Sequence, residues 1–424
     1  MDKDKKDYPD KFYDFPSEPV PKDHRKSSFN ISMVTTGMAV AMSTLYTGAN
    51  LASVMTFKEA IQSVLIGCVI LFILASITGS IGANEGVSFS ILARFPFGRF
   101  GSKIVGLIFA TSMLGWFAYQ AGYFGETINI LAPDSFLTSV KVATLWGGIL
   151  MMSTAIVGYK GMTFLSYMAS PLILVLCIYG GYIGIRDVGL DSIMANVPDN
   201  PQSLGYGITI VVGGWITGAI LQPDISRYAK KATDNILGVF IAMIIFSIAN
   251  IGGVIIAKAT SASNVMEGLV TLGMGTVALL IVILGQWTSN DNNLYSASLG
   301  IINIKPSLNK HVVSATSGVI FTIVAILGVQ NYFVDFLNFL GTFLPPFGAV
   351  LITDYYFLDN KDNYEFTRES TYPKVNYIAF LSVLIGGIVA FSLRWGSAAI
   401  NSIIVTSIVY YLLMKFRHSW SRNK

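Results

Sequence analysis

The chain has 424 residues, of which 53% are hydrophobic and 12% charged, with a net charge of +4 and a mean hydropathy of +0.60. Soluble domains carry about 25% charged residues, so this composition excludes a water-soluble globular protein and places the chain in lipid. A spanning helix needs about 20 mostly apolar residues, which allows about ten to twelve spans joined by short connections and no large soluble domain.

The first 30 residues are polar and carry Pro9, Pro16, Pro19 and Pro21, so residues 1–30 read as a tail without a cleavable signal. Apolar runs between charged or turn-rich breaks then predict helices over 31–53, 60–83, 103–131, 139–158, 163–184 and 205–222. Six more follow over 232–257, 268–300, 312–328, 331–357, 376–393 and 396–414, and residues 415–424 form a second tail. With the N-terminus in the cytoplasm, the outside receives only Lys58, Lys141, Arg186, Lys258 and Arg394, leaving 23 of the 28 Lys and Arg inside. Positive charge is retained on the cytoplasmic side during insertion, so the count predicts an even number of spans with both termini cytoplasmic.

Cys68 and Cys177 lie in apolar runs and read as free buried thiols, not a disulfide or a metal site. His24, His311 and His418 fall in polar segments outside the spans, which excludes an intramembrane histidine relay. The basic balance is accounted for by loops and ends, so no nucleic-acid partner is expected.

Four segments concentrate polar or small residues at membrane depth. The first span reads TTGMAVAMSTLYTGAN, with Gly37 and Gly48, and the sixth reads GYGITIVVGGWITGAI, with Gly213 and Gly214. Glycine-interrupted spans at corresponding places in two halves point to a transporter's binding site, although small residues also let membrane helices pack closely. In the third span Trp116, Gln120 and Tyr123 recur at i, i+4 and i+7 and share one face. An aromatic plate beside an amide suits a flat ring with a polar edge, and simple packing is the other reading. The eighth span places Gln286, Thr288, Ser289, Asn290, Asp291, Asn292 and Asn293 inside an apolar run, a functional pattern by default in lipid. Asp291 is its sole acid and reads either as a coupling carboxylate or as a hydrogen-bond partner of a neighbouring helix. Glu126 lies further along the third span, near its outer end. The connections LARFPFGRFG and LQPDISRYAKK fall inside, where Arg99, Lys230 and Lys231 read as headgroup anchors.

Taken together, EPVPKDHRKS, LARFPFGRFG, GWF at 115–117, WTSNDNNLYSASLG and LPPFGAVLITDYYF resemble, in order and nearly full length, the nucleobase–cation symporter family, and within it the bacterial cytosine permeases. The resemblance implies an all-α polytopic membrane protein of twelve transmembrane helices with a leucine-transporter-like fold. Its first inverted five-helix repeat would span 31–184 and its second 205–357, with broken first and sixth helices and two further helices over 376–414. It implies a bacterial cytoplasmic membrane and a sodium ion held by the carbonyls of Gly37, Val40 and Gly285 and the hydroxyls of Thr288 and Ser289. It further implies a ring between Trp116 and Trp215, Asn290 bonding its edge, backbone near Gly214 adding contacts, and Thr217 at a hydroxyl position.

Two positions depart from the cytosine-permease pattern: Met113 stands where those proteins carry Gln, and Trp215 where they carry Phe. Gln120 with Trp215 is similar to the hydantoin-carrying branch. The expectation is a sodium-coupled nucleobase symporter, cytosine first, with hydantoin, allantoin or a thiamine-related pyrimidine, and proton coupling, as alternatives. A passive channel is the rival of another class, and a membrane enzyme lacks a nucleophile–base pair or metal ligands at depth. No obligatory protein partner is expected.

Overall fold

The computed structural model describes residues 18–422 apart from positions 158, 263, 306, 359–363, 365–372 and 394. Pro9, Pro16, Arg394 and Lys424, which entered the reading of the tails and charges, lie outside the described residues. Among the described residues every named element is helical. The main ones are α1 (Ser28–Ala39), α2 (Met42–Val54), α3 (Phe57–Glu85), α4 (Gly101–Leu131), α5 (Val140–Val157), α6 (Tyr159–Val188) and α7 (Leu204–Ile220). They continue with α8 (Ala232–Thr260), α9 (Gly275–Ile304), α10 (Lys310–Ile326), α11 (Phe333–Phe343), α12 (Pro345–Ile352), α13 (Tyr377–Ser392) and α14 (Ala398–Arg422). Among the described residues seven stretches are long and apolar enough to cross a membrane, and Val140–Ile156, Lys310–Ile326 and Tyr377–Ser392 are shorter apolar helices.

Local chemistry sets the ends. Thr56 accepts from the Glu59 amide and donates to the Glu59 carboxylate at 2.7 Å, a reciprocal cap that starts α3. That helix stops at Gly86, whose φ of 74° is left-handed. The apolar run predicted over 268–300 is interrupted at Gly273, φ 75°, which separates a short helix, Val265–Thr271, from α9. The last helix runs on to Arg422, through most of 415–424.

The first predicted span is broken, because Val40 and Ala41 are extended and α1 and α2 lie either side of them. The sixth is broken elsewhere than expected. Helix α7 passes unbroken through Gly213 and Gly214 to Ile220, and the chain turns at Leu221–Gln222 into the short helix Pro223–Ser226. Proline fits the first turn of a new helix, where its missing N–H is no loss.

Gly213 serves close approach instead. A Cβ on Gly213 would collide with the Leu337 carbonyl of α11, and one on Gly341 with the Thr209 carbonyl of α7. Gly48 and Gly253 make the same reciprocal arrangement between α2 and α8. Small residues that let backbones touch are how helices associate where lipid removes the hydrophobic drive.

Helices α4 and α9 run antiparallel side by side: Lys103 Nζ donates to the Ile304 carbonyl at 3.3 Å, and further along Asn290 Nδ2 donates to the Phe117 carbonyl at 3.0 Å. The segment from residue 18 is docked: Val20 N–H donates to Gly86 O, Arg25 Nη1 to Ala83 O and Lys26 N–H to Tyr228 O.

Candidate functional site

The break in the first span frees backbone oxygens. Ala41 N–H turns forward to Thr44 Oγ1 at 3.4 Å and Thr44 N–H pairs with Ala41 O at 3.0 Å, so neither amide returns to Gly37 or Val40 as a helix would require. Thr44 Oγ1 also donates to Ala39 O, which fixes the extended stretch. The middle of α9 lies against this break: a Cβ on Gly285 would stand 2.9 Å from Met42 Cγ. Thr288 Oγ1 donates to Leu284 O at 2.8 Å and to Gly285 O at 3.2 Å, and Ser289 Oγ donates to Gly285 O at 2.8 Å. Gly285, Thr288 and Ser289 thus share three oxygens in one place beside the opened backbone.

Next to them is a buried aromatic cluster. Trp116 is buried and meets Phe333 and Phe336 of α11 edge-on at 5.8 and 5.4 Å, and Gly115 beside it leaves room for the Phe336 ring. Tyr123, on the same face of α4, stacks on Tyr46 of α2 at 4.1 Å, and Tyr46 OH pairs with Thr127 Oγ1 at 3.2 Å. Tyr46, Trp116, Tyr123, Trp215, Phe246 and Phe333 belong to one continuous buried cluster. Gly214 opens toward it, with Phe246 and Thr47 the nearest atoms to a built Cβ at 3.6 and 3.7 Å.

Several polar atoms here have no protein partner. Gln120 Oε1, Trp215 Nε1, Asn290 Oδ1 and both side-chain atoms of Gln286 are buried and make no hydrogen bond. An unpaired buried polar group costs about 1–3 kcal/mol, and lipid offers no water to relieve it, so these atoms are where a polar ligand would be rewarded. Asn290 is half committed, its Nδ2 donating to Phe117 O and to Met151 Sδ at 3.1 Å. Thr217 Oγ1 meets Ser112 Oγ of α4 at 3.5 Å. Met113 packs with Phe117, Met151 and Leu294 in a second apolar cluster that does not include Trp116.

Asp291 is fully buried and stands beside Thr154 outside hydrogen-bond geometry, with neither oxygen paired, while Trp287 Nε1 donates to Thr154 at 2.9 Å. Glu126 accepts from Asn264 Nδ2 at 3.2 Å. The connection between α3 and α4 meets that between α7 and α8, since Phe89 N–H donates to Asp224 Oδ1 at 2.8 Å.

Composition signalled the amides of α9 and the α4 face. It missed Tyr46, Phe333 and Phe336, which come from apolar or mixed stretches and are brought in by packing alone. Alternating aromatics in NYFVDFLNF are the only trace of the α11 contribution.

The opened first span, the buried aromatic cluster and the unpaired polar atoms on the neighbouring helices make up the candidate site. The model of permeases for cytosine/purines, uracil, thiamine and allantoin matches residues 19–414. The cytosine permease of Escherichia coli (strain K12) is 31% identical over 404 residues, 94% of each chain. The hydantoin permease of Microbacterium maritypicum is 27% identical over 77% of this chain and 72% of its own. Among solved structures, Mhp1 in a closed conformation with bromovinylhydantoin bound superposes with a TM-score of 0.80 at 21% identity, covering 95% of each chain. The chain belongs to the family of permeases for cytosine/purines, uracil, thiamine and allantoin.

Proposed function

We propose that the protein is a secondary symporter that accumulates a planar nucleobase-like heterocycle, cytosine first, using the sodium gradient. The carrying observation is the set of buried, unpaired polar atoms on Gln120, one turn from Trp116 on α4, and on Trp215 and Asn290 of α7 and α9. In this reading the ring stacks between Trp116 and Trp215, Asn290 Oδ1 accepts from its edge, and Gly214 lets the backbone approach. Thr217 sets the hydroxyl position on α7. Base–aromatic stacking of this kind contributes roughly 1–3 kcal/mol per ring.

Sodium sits between the Gly37 and Val40 carbonyls, the Gly285 carbonyl and the hydroxyls of Thr288 and Ser289, which exchange their bonds to Gly285 for the ion. Opened carbonyls and neutral hydroxyls suit a hard monovalent cation. Reading α1 with α2, α7 with Pro223–Ser226, and α11 with α12 as single spans gives twelve. The first inverted repeat then covers 31–184, the second 205–357 and a terminal pair 376–414, with both termini cytoplasmic. Alternating access follows from one repeat bundle rocking against the other about the fixed site.

Hydantoin is the second reading, favoured by Trp215 and by Met113, which lines an apolar cluster where cytosine permeases resemble one another in carrying Gln. The test is uptake into proteoliposomes with an imposed sodium gradient. Accumulation above the outside concentration supports a symporter, uptake that stops at equilibrium supports a facilitator, and accumulation that follows an imposed proton gradient but not sodium replaces the ion.

A further inference from the structure

We propose that Gln286 is a specificity-determining residue for the carried ring, reading an edge that presents a hydrogen-bond donor and an acceptor side by side; the inference rests on the substrate reading above. Among the described residues no other carboxamide has both ends buried and unpaired. Gln286 is 1% exposed, and neither Nε2 nor Oε1 makes a hydrogen bond. A buried amide with one orphan atom is a common compromise, but one with two has lost water at both ends and gained nothing in the folded protein.

Its position follows from the register of α4 and α9. Ile304 faces Lys103 and Asn290 faces Phe117, so the antiparallel pair, each rising about 1.5 Å per residue, brings Gln286 level with Gln120 and Ala121. Gln286 also lies one turn from Asn290 on the same face of α9. On its other side stands Tyr46, whose phenol oxygen is within reach of the amide as an acceptor, although the two groups are outside hydrogen-bond geometry. Tyr46 is occupied elsewhere: Thr127 Oγ1 donates to Tyr123 O, so the Tyr46 hydroxyl donates to Thr127. Gln286 is therefore held beside Tyr46 and the α4 face with neither amide atom bonded, and the Tyr46 proton, committed to Thr127, is not available to its Oε1.

A carboxamide offers one acceptor and a donor about 2 Å apart in one plane, the complement of a –NH–C(=O)– edge or of the matching ring-nitrogen and amine edge of an aminopyrimidine. Gln120 Oε1 adds an acceptor at the same depth and Trp215 Nε1 a donor. A site whose buried donors and acceptors await partners discriminates strongly against rings that lack them.

The experiment measures the affinity of purified protein for uracil, hydantoin, cytosine and allantoin, and for ring-N-methylated forms of each, in wild type and Gln286→Leu, together with ligand-free thermal stability. The wild type must first bind at least one of the four, and failure there overturns the substrate reading itself. Given binding, Gln286→Leu is expected to weaken it more than tenfold for the parent ring and by less than threefold for the N-methylated form, whose edge is already blocked. The ligand-free melting temperature is expected to hold or rise, because leucine keeps the volume and removes the unpaired amide. Equal affinity of Gln286→Leu and wild type for the parent rings overturns the inference while leaving the substrate reading in place. A lowered melting temperature with equal losses for parent and methylated rings also overturns it, by giving Gln286 a structural role; Gln286→Asn, expected to recover part of the parent-ring affinity alone, separates these cases.

Discussion

Two buried polar clusters in this protein are built on opposite principles. At Asp354 the carboxylate is consumed by the protein: Tyr364 OH donates to Oδ2 at 3.1 Å, Tyr410 OH donates to Oδ1 at 2.8 Å, and Phe95 stacks on Tyr364 at 3.7 Å. Asn376 beside it donates to the Pro96 carbonyl at 2.7 Å and its amide N–H to Phe97 O, tying the connection after α3 to the start of α13. Around Gln286 both ends of its own amide, one end each of Gln120 and Asn290 and the Trp215 indole N–H are equally buried and left open. Satisfied networks fix a structure, and unsatisfied ones at depth are expensive enough that a ligand is their natural completion. Burial is the same in both regions and Asn376 Oδ1 is open in the first as well, so what separates a joint from a site is whether the central group is satisfied, as Asp354 is and Gln286 is not.

Substitution should break the two regions in different observables. The largest effect is expected for Asp354→Leu, which strands two buried tyrosine hydroxyls at about 1–3 kcal/mol each; thermal unfolding in detergent should fall by many degrees, and ring binding by surviving protein should be retained. Gly213→Val sharpens the same contrast at the α7–α11 contact. Its side chain meets the Leu337 carbonyl, and overpacking of this kind costs about 1–3 kcal/mol, read as reduced folded yield and a lower melting temperature.

In the open region the loss should appear in binding and leave the ligand-free fold intact. Trp116→Ala is expected to weaken ring affinity about 5- to 150-fold, the equivalent of roughly 1–3 kcal/mol of stacking. Thr288→Ala should remove most of the sodium dependence of ring binding, with reciprocal loss of the ring's effect on sodium; unchanged sodium stimulation in equilibrium binding would contradict the ion assignment. The smallest effect is expected for Met113→Gln, a shift toward cytosine of about tenfold or less, because Met113 packs in the cluster with Phe117 and Met151. No shift would mean that the ring lies in a different orientation from that in cytosine permeases.

Much of the helix layout was legible because lipid forces apolar runs to be helical. Charged and turn-rich breaks place most ends within a few residues of the observed ones, as in 60–83 against Phe57–Glu85. Gly273 was hidden, since a single glycine inside an apolar run carries no sign of its backbone angle. Glycine also misled at Gly213 and Gly214. The residue that permits unwinding is the residue that permits contact, and in α7 the demand came from the α11 backbone, which is distant in sequence. The polar run of α9 marked its own depth, but which amides find partners depends on the α4 register. Gln286 and Asn290 therefore look alike in sequence, and they differ in space by the Phe117 carbonyl.

The central claim is that the unpaired atoms around Trp116 and Gln286 await a planar ring bound together with sodium. Thermal stabilisation of the purified protein by cytosine, uracil, purines, hydantoins, allantoin and thiamine precursors, each with and without sodium, tests it most directly, because a ligand of the folded state raises stability by RT ln(1 + [L]/Kd). The account predicts a rise in melting temperature with at least one ring that grows when sodium is added. No rise with any ring, in sodium or without it, would contradict it.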